Sequence, residues 1–429
     1  MNCSDLIIIG SGPGGYRAAD YAAKNGLRVT VFESSEAGGT CLNCGCIPTK
    51  AFCHAATLAE KDFAQAANHK DTVVEQLRSG VEQLLAQPGI TLVRGRAAFK
   101  DNNTVVCDGT EYTARNIIIA TGSKPKMPPI DGITLPHVIT STEMLSLKAV
   151  PERLAIIGAG VIGMEFASVM NAFGCKVTVI EFLKECLPAI DGDIAKRLRK
   201  AMERKGVEFI MQAAVKRITP EAIVYERKGK EATVETSCVL VATGRTAMTD
   251  GLQLGNTDVK VEPQGIVTNE MMQTSVPNIY AIGDVNGRSL LAHAATMQGI
   301  RAVNHILQRT DSIRFDIMPA AVFTSPEVAS VGLTEEQCRQ QHPSYQCRKA
   351  LYRANGKALA MNEDEGILKL LAAEEGTILG CHVMGAHAAD LVQEVAALMN
   401  FNATVQRLRD ITHIHPTLGE ILQSAAEMF

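Results

Sequence analysis

The feature that most constrains this chain is a pattern that occurs twice, 148 residues apart. Residues 7–33 read IIIGSGPGGYRAADYAAKNGLRVTVFE and residues 155–181 read AIIGAGVIGMEFASVMNAFGCKVTVIE. Gly10, Gly12, Gly15, Gly26 and Glu33 fall on Gly158, Gly160, Gly163, Gly174 and Glu181. Each copy reads as a buried strand, a glycine-rich turn, an amphipathic helix stopped by glycine, and a second strand ending in an acid. A chain with this pattern must build parallel βαβ units, because strand and crossover helix return to the same sheet.

The spacing has a chemical reading. The first glycine makes a tight turn, the second lets the backbone approach a pyrophosphate, and the third lets helix pack on strand. Amides at the helix start then meet phosphate, and the terminal acid accepts from ribose hydroxyls. A single GxGxxG occurs often by chance. Here strand, helix and acid agree with it, and they agree twice. A smaller duplication lies further along: NIIIATGS at 116–123 and CVLVATGR at 238–245, each a strand ending in Ala-Thr-Gly. At the second site Glu181 repels a 2′-phosphate, and FLKE at 182–185 offers no arginine to receive one. NAD is therefore expected there rather than NADP.

The remaining classes are bounded by composition. With 429 residues, 46% apolar and 21% charged, the chain predicts an α/β protein of roughly three domains. A net charge of −4, no tryptophan and no basic tail argue against nucleic acid. No apolar run is long enough to span a membrane, and the start lacks a basic leader, so a cytoplasmic location is expected. Beyond residue 263 the pattern predicts strands within 318–325 and 366–373 and helices over 334–341 and 388–400.

Of twelve cysteines, Cys3, Cys53, Cys107, Cys175, Cys186, Cys238, Cys338, Cys347 and Cys381 stand singly. They read as small buried hydrophobes. The other three crowd into GGTCLNCGCIPTK at 38–50, just past the first acid. On a regular helix Cys41 and Cys46 would point about 140° apart. A bond between them needs a distorted helix, which Gly45 and Pro48 permit. Such a bond is open to exchange and easily reduced. The rival reading, three thiolates on a metal, lacks a second CxxC or a following His/Cys group at zinc spacing, and no metal is expected.

With that segment lying between two GxGxxG turns, the chain resembles the pyridine nucleotide–disulfide oxidoreductases of class I, most closely the dihydrolipoamide dehydrogenase branch. IYAIGD (279–284), AVFTSPEVASVG (321–332), LGCHVMGAHAADLVQE (379–394) and HIHPTLGE (413–420) extend the resemblance almost end to end. It implies an FAD-binding domain with the redox disulfide (1–148), an NAD-binding domain (149–262), a central segment completing the FAD site (263–312) and an α+β dimerisation domain (313–429). It assigns Gly10, Gly12, Gly14, Gly15, Glu33, Thr40, Lys50, Ala97, Thr121, Gly122, Ser123, Asp284, Ala292 and His293 to FAD. It assigns Gly158, Gly160, Gly163, Glu165, Glu181, Val215 and Gly244 to NAD, with Lys50 and Glu165 beside the flavin ring.

The resemblance also implies a mechanism. Cys41 and Cys46 form the redox disulfide, His415 is the base and Glu420 orients it, in a homodimer whose subunits exchange His415. The substrate is dihydrolipoamide on the lipoyl domain of an acyltransferase or on a glycine cleavage carrier protein. The chain departs from the family at Cys44, where Val or Ile is usual, and in a short stretch between the redox segment and the first ATG strand. Cys44 is read as a bystander. A flavoprotein that senses redox state without turnover is the competing class, against which the four residues Cys41, Cys46, His415 and Glu420 argue.

Overall fold

A computed structural model describes residues 2–429, with only the backbone of Asn2. The chain divides into two compact units. One gathers the residues up to Phe52, Ala64–Lys126 and Gly244–Ile313; the other gathers Cys53–Phe63, Met127–Thr243 and Arg314–Phe429.

The first unit is built on a seven-stranded sheet. Its order is Ile90–Arg94, Val29–Glu33, Asn2–Ile9, Thr110–Ile119, Thr104–Cys107 and Ala97–Phe99, with Ile279–Ala281 also paired to Thr110–Ile119. The strands around Asn2–Ile9 are parallel, and the two short ones beyond Thr110–Ile119 are antiparallel. Leu6, Ile7 and Ile8 are fully buried, as an apolar run in a parallel sheet covered on both faces should be. Helix Pro13–Lys24 packs against helix Ala292–Ile306, with alanines 18, 19 and 22 of the first helix buried. Helix Phe63–Leu85, 23 residues long, comes after the cysteine segment.

The second unit repeats that plan and adds to it. Its parallel sheet runs Glu208–Met211, Lys176–Glu181, Arg153–Ile157, Cys238–Val241 and Val138–Ile139. Ala213–Ile218, Ala222–Arg227 and Lys230–Glu235 form a three-stranded antiparallel sheet. Toward the C-terminus lies a five-stranded antiparallel sheet ordered Ala320–Val322, Val328–Gly332, Ile378–Met384, Ile367–Ala372 and Gln346–Leu351. Helix Ala388–Asn400 covers one face of it through Leu391, Val392 and Val395. The expected strands and helices of this region are present, at Ala320–Val322, Ile367–Ala372, Glu335–Gln341 and Ala388–Asn400.

Among the single cysteines, Cys107, Cys175, Cys186, Cys238, Cys338 and Cys381 are buried as expected. Cys3 is exposed, and Cys53 and Cys347 are half-buried. Cys3 lies near the chain start where no layer covers it, so its type alone did not decide its burial. Among the described residues no helix is long and apolar enough to cross a membrane, and no three His, Cys, Asp or Glu side chains are grouped to hold a metal.

Candidate active site

The two glycine turns are superimposable in their hydrogen bonds. Gly10 has φ +104° and Gly158 +105°. A Cβ on Gly10 would lie 2.4 Å from the Ala120 carbonyl oxygen, and one on Gly158 would lie 2.6 Å from that of Ala242. A Cβ on Gly15 would lie 1.9 Å from the Gly10 carbonyl oxygen; the same clash at Gly163 is 2.1 Å, with Gly158. The middle glycines differ from both neighbours. A Cβ on Gly160 would meet no protein atom within 4 Å, and one on Gly12 only the Gly39 Cα at 4.0 Å. Each turn thus closes at its first glycine on the end of the neighbouring Ala-Thr-Gly strand, packs its third glycine against its first, and leaves its middle glycine open. Each also starts a 12-residue helix whose first amides lack intrahelical acceptors. A pyrophosphate fits that arrangement at both places.

The two acids are held in one way. The Ser11 and Ala159 backbone N–H groups donate to Glu33 Oε2 and Glu181 Oε2 at 2.9 and 2.6 Å. The Ser35 and Leu183 N–H groups donate to the Oε1 atoms at 2.8 and 2.7 Å. Ser11 Oγ adds a third bond to Glu33 at 2.7 Å. Both carboxylates are therefore aimed before any ligand arrives; Glu33 Oε1 and both oxygens of Glu181 keep acceptor capacity for a ribose hydroxyl.

Around the first turn, Gly14 lies inside its helix against Ala295 and Ile282, Thr40 is exposed in the next helix, and Ala97 is buried at the start of a strand. Past the first ATG strand, Thr121 Oγ1 donates to the Met248 carbonyl at 2.6 Å and Gly122 takes φ +73°. Ser123 Oγ donates to Asp284 Oδ2 at 2.5 Å and accepts from Arg245 Nε at 2.6 Å. Arg245 was not singled out by the sequence; its signal was the Arg after the second Ala-Thr-Gly. Ala292 and His293 open helix Ala292–Ile306. Gly244, the glycine of that second Ala-Thr-Gly, has φ +109° and open space where a side chain would be.

In the second unit Glu165 is buried, and its Oε1 accepts from the Phe323 N–H at 2.9 Å. Val215 is half-buried beside a bulge in strand Ala213–Ile218.

The cysteine segment breaks where a bond between Cys41 and Cys46 would need it to. Helix Gly39–Cys44 ends at Gly45, whose φ of −145° and ψ of −116° are not helical, and a new helix, Cys46–Ala55, begins at once. A Cβ on Gly45 would lie 2.8 Å from the Thr40 carbonyl oxygen. Thr49 closes the break from the other side, its N–H and hydroxyl both donating to the Gly45 carbonyl, at 3.1 and 2.7 Å. No disulfide joins any of the described cysteines. The half-buried Cys41 thiol is hydrogen-bonded to Cys46, and this bond, seconded by burial, holds its pKa well above the ordinary thiol range; the nearby Lys50 cation pulls the other way.

His415 and Glu420 also meet. His415 Nδ1 and Glu420 Oε1 are 2.8 Å apart, and the Thr417 N–H donates to Glu420 Oε2 at 2.8 Å. The Thr417 bond first, then the His415 bond, hold the Glu420 carboxyl below its ordinary pKa. The His415 side chain is 80% exposed, so its Nε2 edge is open to a reactant. His413, by contrast, is turned in against Glu394, 3.0 Å from Nε2 to Oε1.

Comparison with known proteins agrees with this geometry. Residues 4–299 match the family model for pyridine nucleotide-disulphide oxidoreductases, and residues 318–426 match the model for the dimerisation domain of the same family. The chain is 37% identical to dihydrolipoyl dehydrogenase 1, mitochondrial, of Arabidopsis thaliana, over 99% of this chain and 90% of that protein. It is 38% identical to the dihydrolipoyl dehydrogenase of Thermus scotoductus, over 100% and 97%. Among solved structures, the HOCl-induced flavoprotein disulfide reductase RclA from Escherichia coli superposes with a TM-score of 0.92 at 33% identity, covering 99% of each chain. Across nearly its whole length the chain therefore belongs to the pyridine nucleotide-disulphide oxidoreductases, enzymes that work with FAD and NAD(P).

Proposed function

We propose that this chain is a dihydrolipoyl dehydrogenase, oxidising the dithiol of protein-bound dihydrolipoamide and reducing NAD+. The observation that carries the proposal is the contact between the Cys41 and Cys46 thiols across the break at Gly45. The names of the dihydrolipoyl dehydrogenases at 35–38% identity support the choice of substrate.

In this reading Gly10, Gly12, Gly14, Gly15, Glu33, Ala97, Thr121, Gly122, Ser123 and Asp284 hold FAD, with Thr40, Lys50, Ala292 and His293 beside it. Gly158, Gly160, Gly163, Glu181, Val215 and Gly244 hold NAD. Bound FAD supplies the two-electron relay between the cysteine pair and the pyridine nucleotide. The chain's own groups do the rest. His415 takes a proton at Nε2 from one thiol of the substrate, because the thiolate is the nucleophile. Glu420, bonded to Nδ1 and kept ionised by the Thr417 N–H, fixes the tautomer and stabilises the imidazolium. The thiolate attacks Cys41 Sγ and the Cys41–Cys46 bond breaks, leaving charge on Cys46. The second substrate thiol, passing its proton to the departing Cys41 sulfur, then displaces Cys41 from the mixed disulfide. Lipoamide leaves oxidised and the enzyme pair holds two electrons. Lys50 places a cation beside the pair, which stabilises a thiolate there. The reading includes a homodimer in which His415 serves the partner's disulfide, a lipoyl domain of an acyltransferase or a glycine cleavage carrier as the donor, and a cytoplasmic setting.

The similarity to RclA favours one alternative, a flavoprotein reductase of some other disulfide. Steady-state rates separate the two. NAD+ reduction by dihydrolipoamide should exceed NADH-driven reduction of glutathione disulfide or cystine by about 100-fold in kcat/KM, the scale at which a shaped site discriminates. Equal rates, or a flavin that NADH reduces but dihydrolipoamide does not, would overturn the lipoamide reading.

A further inference from the structure

Helix Gly39–Cys44 carries Cys41 yet has only six residues, too few to persist without support. Its start lies against the first glycine turn, where a Cβ on Gly39 would come within 2.6 Å of the Gly12 Cα. Between that start and the break at Gly45 stands Asn43. Its amide nitrogen donates to the Ala37 carbonyl at 2.9 Å and the Gly39 carbonyl at 3.0 Å, with a longer approach to Glu36 at 3.5 Å. Its amide oxygen accepts from Arg78 Nε at 2.9 Å. Arg78 belongs to helix Phe63–Leu85, and its Nη1 reaches Glu75 Oε2 at 3.1 Å. One side chain, two residues from Cys41 and three from Cys46, thus ties together the loop after the first acid, the redox helix and the long helix beyond it. Only an amide can do this, since the bonds need donors toward carbonyls and an acceptor toward a guanidinium. Aspartate has the same shape but would set an anion against two carbonyl oxygens.

We propose that Asn43 and Arg78 are positioning residues: they clamp the redox helix so that Cys41 stays against Cys46, and thereby set how readily this pair is reduced. The inference rests on the redox role proposed above for the two cysteines, but not on which disulfide the enzyme acts upon. A disulfide is stabilised against its dithiol by the effective concentration of one thiol at the other, which falls when the frame loosens. Losing the clamp should therefore make the pair easier to reduce.

The test is an equilibrium between the FAD-loaded enzyme and glutathione buffers, without pyridine nucleotide. The cysteine pair gives up two electrons and two protons, glutathione disulfide takes them up as two thiols, and the reverse runs equally. Acid quenching and alkylation report the state of residues 39–50 by mass, because Cys44 takes one label in either state and the open pair adds two. N43D and R78M should lower the equilibrium constant for disulfide formation about tenfold, equivalent to ~30 mV for a two-electron couple. R78K, which keeps the cation but loses the directed Nε–H, should fall between them and the wild type. T72A, on the same long helix, where the Thr72 hydroxyl donates to the Asn68 carbonyl of its own turn, should not move. A merely structural clamp would lower the melting temperature and leave the equilibrium where it was. That result, an equilibrium constant within twofold of wild type for R78M, or a shift toward the disulfide, would overturn the proposal. If N43D yields no yellow protein, R78M and R78K decide. A failure of the lipoamide reading would show in the turnover assay and leave this equilibrium unaffected.

Discussion

The glycine turn at 10–15 and the one at 158–163 share their φ angles, their clashes and the hydrogen bonds to their acids, yet the segments downstream of them differ. After Glu33 come the loop braced by Asn43, the broken helix and three thiols. After Glu181 come the exposed Phe182, then Asp191 at the cap of helix Gly192–Arg204. There the buried Lys369 ammonium meets both Asp191 oxygens, at 2.7 and 2.9 Å, and Glu335 at 2.5 Å. The same βαβ frame thus leads in one case to a reactive group and in the other to a fixed ion triad. In the function proposed above, binding falls to the turn and chemistry to the residues just beyond it.

Breaking the turns themselves should have the largest effect. G15V and G163V each drive a side chain into a carbonyl oxygen, and each should abolish one cofactor only. G15V should purify without yellow colour, whereas G163V should stay yellow and lose NADH-driven flavin reduction; absorbance and stopped-flow spectra check both. If G163V also loses flavin, the two turns are not independent. Next, K369M strands the Asp191 carboxylate among buried groups and should cost about 3–5 kcal/mol in denaturant unfolding. Burial pushes the Asp191 pKa up, but Lys369 and the Glu335 N–H outweigh it, so the folded value lies below the ordinary 3.8. Its stabilisation is present above that pH and is lost as pH falls through the folded value. Burial pushes the Lys369 pKa down, but its two carboxylates outweigh it, so the folded value lies above the ordinary 10.5. Its share persists below that pH and fades as pH rises past the folded value. The K369M deficit should accordingly be flat from about pH 5 to 9.

A smaller effect distinguishes the acids. E181S should raise the Kd for NADH roughly tenfold, the worth of one charged hydrogen-bond acceptor, without releasing flavin. E33S should do the converse, weakening flavin retention and sparing NADH affinity. The smallest effect is expected at Cys44: C44V should leave lipoamide turnover within about twofold, because its thiol stands outside the Cys41–Cys46 exchange. A large loss would make that third cysteine a participant.

The parts of this molecule legible in the sequence are those fixed by neighbours along the chain. The glycine spacing, the acid after it and the apolar strands show both turns, and Gly45 marks the break that brings Cys41 to Cys46. The helices at 335–341 and 388–400 arise from caps and periodicity. Features that depend on distant pairing were not legible. Ile279–Ala281 joins the first sheet beside Thr110–Ile119 through partners 162 residues apart, as at Ile279 and Ile117. Lys369 sits in an apolar strand as if facing water, and only Asp191 and Glu335, far off in the chain, explain its burial. Nothing in the sequence singles out Asn43, because its Ala37 partner lies in the preceding loop and its arginine 35 residues on.

The short ribbon joining Ser123–Pro125 to Arg245–Ala247 has a consequence for how such a protein can be rearranged. Its strands are antiparallel, and the Lys126 N–H reaches the Gly244 carbonyl at 3.0 Å. The 117 residues from 127 to 243 therefore depart and come back through a single doorway. A replacement segment can be joined at those two touching ends, provided it brings an acid for Lys369 and an acceptor for the Phe323 N–H, which Asp191 and Glu165 supply now.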